Sequence, residues 1–156
     1  MIWNDDTLRR WIETDGIIPA NMDCINPASV DLHIDRHFVD LRTGQHFEAD
    51  TVELEPTMAI LATTIEVVDI PANAAGVIYL KSSRAREGLD HALAGWIDPG
   101  FFGQITLELH AHRPLVLTAG QRVVQLVLMS LNAPARKPYA GRYQGQRGPT
   151  MRREGN

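Results

Sequence analysis

At 156 residues and 44% hydrophobic content, the chain is long enough for one domain with a real core and too short for two comfortable ones. Its 15 basic and 19 acidic residues give a net charge of −4, which argues against a duplex nucleic-acid binder, whose affinity comes from neutralising phosphates. Cys24 is the single cysteine, which excludes an internal disulfide framework and a thiolate-rich zinc centre.

No run approaches the roughly 20 apolar residues that span a bilayer, and no basic-then-apolar leader opens at Met1, so a soluble, cytoplasmic protein without membrane partners is expected. Charge is unevenly spread. Arg136, Lys137, Arg142, Arg147, Arg152 and Arg153 follow one another without an acid between them. Such a tail reads either as a solvated end or as a flap that closes on a small polyphosphate.

In chain order, Asn4, Asp5, Asp6 and Thr7 read as a helix start, with Leu8, Trp11 and Ile12 on one face and Gly16 as the stop. Trp3 and Trp11 read as packing of this helix. Beyond it, short β-branched runs recur between turn signals at 29–34, 37–41, 51–54, 58–62, 65–70 and 76–80, then at 104–109, 115–117 and 122–131. Regular short strands separated by Gly, Pro, Asn and Asp predict a mostly β barrel or jelly roll with a short N-terminal helix. Two stretches, 84–102 and 134–156, resist assignment, and long polar loops in a compact β domain are candidates for function.

The densest polar cluster runs from Lys81 through Ser82, Ser83, Arg84 and Arg86 to Gly88, directly after the apolar run Val77 to Leu80. Hydroxyls, backbone N–H groups and cations at a strand end suit phosphate oxygens, although a plain helix cap has the same composition. Next, Ala94 to Gly103 lead into Gln104 to Leu109, where alternation puts Ile105, Leu107 and Leu109 on one face and Thr106 and Glu108 on the other. Glu108 is then either a solvated carboxylate or a partly desolvated one whose raised pKa suits proton transfer.

Together these segments resemble the dCTP deaminase family of the dUTPase-like superfamily. The resemblance rests on Lys81-Ser82-Ser83 with Arg86 and Gly88, on Ile97-Asp98-Pro99-Gly100-Phe101 with Gly103, on Ile105 to Leu109, and on Tyr143 to Thr150. Pro27 to Leu32 and Gly120 with Gln125-Leu126 extend it over almost the whole chain in order. Trimeric dUTPases share the serine and Ile-Asp motifs and lack the glutamate, so Glu108 is the residue that favours deamination.

The resemblance implies a distorted β-barrel of the dUTPase type, one domain over 1–156 with 134–156 as a basic flap, and a homotrimer with sites between subunits. It implies metal-independent hydrolysis of dCTP to dUTP and ammonia; the zinc route needs paired Cys ligands, which a chain with one cysteine lacks. Glu108 would shuttle protons, Ser82 and the Ala94 carbonyl would hold the water, and Arg86 would orient Glu108. Asp98 would bind the 3′-hydroxyl, while Lys81, Ser83, Trp96, Gln125, Tyr139, Arg142 and Gln146 would line the nucleotide. Mg²⁺ would be carried by the triphosphate rather than by protein side chains, and dTTP is a candidate inhibitor.

Gly95-Trp96 resembles bifunctional members that go on to dUMP, with Asp98 also positioning a water for attack on phosphorus. Against the usual pattern, Leu93 replaces a threonine, Lys81 an arginine and Arg142 a lysine, and the chain is shorter than typical members, chiefly before Met58. Leu93 keeps a non-catalytic nucleotide-binding or regulatory module in play, and dUTP hydrolysis alone is a further alternative. A capsid- or lectin-like β protein leaves the polar cluster unexplained. His91, His110 and His112 read as surface histidines, and Phe101-Phe102 as core or subunit interface.

Overall fold

The structure is a computed structural model that describes residues 1–92 and 94–154. Helix α1 (Asp5–Glu13) starts where the sequence predicts, because the Asn4 side chain accepts a hydrogen bond from the Thr7 N–H at 3.1 Å and Asp5 and Asp6 complement the helix dipole. Leu8, Trp11 and Ile12 are its buried face. Trp11 meets Trp3 edge to face at 6.1 Å and donates through Nε1 to the Asp69 carbonyl. The left-handed residue that ends the turn is Asp15 (φ 61°), one position before the expected Gly16, which aspartate tolerates through its short polar side chain.

Among the described residues thirteen strands follow: β1 (Ile17–Ile18), β2 (Ile25–Asn26), β3 (Ser29–His33), β4 (His37–Asp40), β5 (His46–Glu48), β6 (Thr51–Leu54), β7 (Ala59–Asp69), β8 (Ala74–Leu80), β9 (Leu89–His91), β10 (Trp96–Ile97), β11 (Phe102–Ala111), β12 (Leu115–Thr118) and β13 (Arg122–Ser130). A short helix, α2 (Ser82–Arg86), lies between β8 and β9. One sheet runs β5-β4-β7-β11-β9 with β1 beside β7, a second runs β10-β8-β13-β3-β2, and β12 pairs with β6. The mostly β expectation holds. Val30, Leu32, Leu126 and Leu128 from one sheet and Ile60, Ala62, Leu107 and Leu109 from the other join Leu54 and Leu117 in one buried cluster.

Two differences have physical causes. The runs expected at 58–62 and 65–70 are a single strand, β7, because Thr63 and Thr64 between them are buried and satisfied rather than in a turn. There the pairing with β11 shifts register, and β7 bulges, with Thr64 to Glu66 set opposite Ile105 alone. The Thr64 hydroxyl accepts from the Ile105 N–H at 2.9 Å and the Thr63 hydroxyl donates to the Ile105 carbonyl at 3.2 Å, replacing the missing ladder bonds. Within 84–102, β9 and β10 are strands of three and two residues that exist only because β11 and β8 offer them edges. No helix among the described residues is long and apolar enough to cross a membrane.

Candidate active site

Beyond the bulge, β11 alternates as the sequence predicts, with Ile105, Leu107 and Leu109 in the core and Thr106 and Glu108 on the opposite face. Glu108 opens onto a cavity of about 650 Å³ whose floor is β11 and whose far side is the segment Ala94 to Asp98. That segment is pressed against β8: a Cβ at Gly95 would lie 2.5 Å from the Ile78 carbonyl oxygen, so only glycine fits there. At the mouth, the Trp96 indole N–H donates to Asp98 Oδ1 at 2.9 Å, leaving Asp98 Oδ2 for another partner.

The C-terminal segment forms the roof. Tyr139 N–H donates to the Pro99 carbonyl at 2.7 Å, Gly145 N–H to the Phe102 carbonyl at 2.7 Å, and Thr150 N–H to the Thr106 hydroxyl at 3.2 Å. Gln146 is buried and bonds Gln104 in both directions, donating from Nε2 to its carbonyl at 2.7 Å. Gly100 (φ 85°) lets the roof sit this close, since a Cβ there would lie 2.6 Å from Pro138. Tyr139 stacks obliquely on the buried Phe101, and the Arg147 guanidinium covers the more exposed Phe102 ring.

The electrostatics centre on Glu108. Its Oε2 is buried and, among the described residues, has no hydrogen-bond partner; His91 Nε2 lies 3.5 Å away. Burial pushes the Glu108 carboxyl above the ordinary glutamate range, opposed in part by a backbone hydrogen bond. Burial also pushes the His91 imidazole below its usual value, with Asp90 opposing. Both shifts disfavour the charged forms, which weakens any ion pair between the two groups. A desolvated carboxyl that lacks a fixed partner is able to take and return a proton.

Of the residues expected at the site, Glu108, Ala94, Trp96, Asp98, Tyr139 and Gln146 converge on this cavity. Lys81, Ser82, Ser83, Arg86, Gln125 and Arg142 do not line it. Ser82, Ser83 and Arg86 stand exposed on α2, whose first residue follows β8. Lys81 pairs with the buried Asp31, and Gln125, the register partner of Asp31, accepts from the Ser29 hydroxyl at 3.2 Å. These residues mark a second polar patch on the β3-β13-β8 side. Arg142 bonds the Arg153 carbonyl instead.

Two residues that the sequence reading gave no place at the site, His91 and Thr106, reach the cavity, and Arg152 reaches it from the basic tail. His91 is buried rather than on the surface, a correction whose signal was the alternation Leu89, Asp90, His91, which puts the histidine on the same face as a core leucine. Leu93 lies outside the described residues, as do the last two positions of the expected flap.

The model of the dCTP deaminase-like family matches residues 2–131. The dUMP-forming dCTP deaminase of Corynebacterium glutamicum is 39% identical over 178 aligned positions, covering 96% of this chain and 94% of that protein; the enzyme of the same name from Persephonella marina is 37% identical, covering 98% and 97%. The alignments exceed 156 residues, so these relatives carry segments without a counterpart here. Among solved structures, the 2′-deoxycytidine 5′-triphosphate deaminase of Agrobacterium tumefaciens superposes with a TM-score of 0.72 at 20% identity, over 81% of this chain and 47% of that one. The native EIAV dUTPase superposes at 0.51 and 22% identity, over 82% and 93%. The fold is therefore the distorted β-barrel of the dUTPase type, and the chain belongs to the dCTP deaminase-like family.

Proposed function

We propose that the chain deaminates dCTP and carries the product on to dUMP. The observation that carries the reading is the Glu108 carboxyl, half-buried, with Oε2 unpartnered among the described residues, and opening on the same cavity as the Ala94 carbonyl segment and Asp98. The dUMP-forming names of the relatives favour the bifunctional outcome over release of dUTP, which was the leading expectation from sequence.

In the first step a water held by the Ser82 hydroxyl and the Ala94 carbonyl attacks C4 of the cytosine. Glu108 accepts the water's proton and delivers it to N3; the second proton passes to the exocyclic amine, the C4–N bond breaks, and ammonia leaves with the carbonyl formed. Arg86 orients Glu108 and balances its charge. In the second step, a water positioned with the help of Asp98 attacks phosphorus, and diphosphate departs from dUMP. Asp98 also receives the 3′-hydroxyl, held ready by Trp96, and Tyr139 and Gln146 close the pocket.

Ser82, Ser83 and Arg86 belong to a patch that does not line the chain's own cavity, so in this reading α2 of a neighbouring copy completes each site in a homotrimer. Lys81, Gln125 and Arg142 serve from that side or from the flap. One domain spans 1–156, with the basic segment 134–156 as the lid over the triphosphate. The only carboxylates among the described cavity residues are Asp98 and the desolvated Glu108, too few for a protein-built octahedral cage. This donor set fits Mg²⁺ held chiefly by phosphate oxygens and water, where the ion would offset the polyphosphate charge.

Incubation of the purified protein with base-labelled dCTP and Mg²⁺ tests the proposal. Equal yields of dUMP, diphosphate and ammonia are expected. Accumulating dUTP would restrict the enzyme to deamination, intact dCTP alongside consumed dUTP would make it a dUTPase, and tight binding of dCTP or dTTP without turnover would make it a regulatory module.

A further inference from the structure

On the face of β11 that carries Glu108, the next outward position is His110, with His112 just past the strand's end, and β9 sets Asp90 directly across from His110. Asp90 Oδ2 lies 3.0 Å from His112 Nε2 and 3.4 Å from His110 Nε2, and all three donor atoms fall within 4.8 Å of one another. The other carboxylate oxygen, Oδ1, is fixed by the His91 N–H at 2.8 Å, which aims Oδ2 at the two imidazoles. None of the three residues lines the cavity.

We propose that Asp90, His110 and His112 form a surface site for a divalent transition metal of the Zn²⁺ class, separate from the catalytic cavity. Bonds of about 2.0–2.2 Å to imidazole nitrogen and carboxylate oxygen place tetrahedral ligand atoms roughly 3.3–3.5 Å apart; the Asp90–His110 separation of 3.4 Å falls within that span and the Asp90–His112 separation of 3.0 Å just below it. On binding, each Nε2 presents its lone pair to the metal and Nδ1 carries the ring proton, while Asp90 Oδ2 supplies the carboxylate donor. Two imidazoles and one carboxylate select Zn²⁺, Ni²⁺, Co²⁺ or Cu²⁺ over Mg²⁺, whose preferred donors are oxygens. The fourth position faces solvent and takes water. The backbone N–H of His91 holds Asp90 in place as an outer partner, the kind of support that sustains metal affinity. This site goes beyond the deaminase reading and stands whether or not that reading does.

The test is titration of the nucleotide-free full-length protein with Zn²⁺ against a chromophoric chelator. One saturable Zn²⁺ per chain is expected, not displaced by millimolar Mg²⁺. His110→Ala, His112→Ala and Asp90→Asn should each weaken it by at least about tenfold, while His46→Ala, at an exposed histidine on β5, should leave it unchanged. In wild-type protein, Co²⁺ or Cu²⁺ should broaden amide resonances around 89–91 and 109–113 first, a readout that needs no variant. No saturable binding, equal affinity in the His110→Ala/His112→Ala double variant, or broadening centred on other histidines would overturn the proposal.

Discussion

Glu108→Gln isolates the proposed chemistry. Glutamine keeps the volume and one oxygen, so the cavity and the packing of β11 persist, but it cannot exchange a proton. A positioned acid-base group contributes about 10²–10⁴ in rate, or roughly 3–5.5 kcal/mol of barrier at 1.36 kcal/mol per tenfold. Glu108 Oε2 has no fixed hydrogen-bond partner among the described residues, so no other group nearby is set to take over, and the loss should fall at the upper end of that range. Steady-state ammonia release measures it, with dCTP binding by calorimetry expected to change little.

The pH dependence carries a sign of its own. Because the carboxylate must accept the water's proton, kcat/KM rises with pH through the Glu108 pKa, which burial raises. A guanidinium beside a carboxylate stabilises the charged form and opposes that rise. Arg86→Ala should therefore move the acidic limb of residual activity to higher pH, and Arg86→Lys should move it less. A Glu108→Gln enzyme with more than a tenth of wild-type turnover, or an acidic limb in Arg86→Ala shifted downward, would refute the reasoning.

Two further outcomes follow from the geometry. Trp96→Phe removes the 2.9 Å bond to Asp98 while keeping an aromatic ring; at about 0.5–1.5 kcal/mol for such a bond, KM for dCTP should rise roughly two- to tenfold with kcat little changed, and an unchanged KM would remove Asp98 from sugar binding. Ending the chain after Lys137 deletes Tyr139, Gln146 and Arg152 from the cavity roof, so KM should rise sharply while far-UV circular dichroism retains its β signature.

Much of this fold was legible because local signals and tertiary demands agree. Asn4 caps α1, and β11 alternates strictly enough to put Glu108 on the opposite face from Leu107 and Leu109. Elements that depend on distant partners were not legible. The continuity of β7 rests on two threonine hydroxyls that bond Ile105 of β11 across a bulge in β7 itself, and β9 and β10 are too short to announce themselves. At the site, resemblance supplied twelve residues, and six of them line one cavity. Sequence order gives no sign that Ser82 and Arg86 sit on a different face from Glu108, because strand pairing separates segments only 22 residues apart. His91 was missed because a histidine in a polar stretch reads as solvated until its strand partner is known.

The central claim is that Glu108 of one copy works with α2 of the next. Glu108→Gln and Arg86→Ala proteins, each with little activity alone, can be mixed under conditions that exchange subunits. In a head-to-tail trimer of random composition, about one site in four unites a native Glu108 with a native Arg86, so the mixture should recover roughly a quarter of wild-type deamination. Mixtures that exchange subunits yet stay inactive would contradict the account.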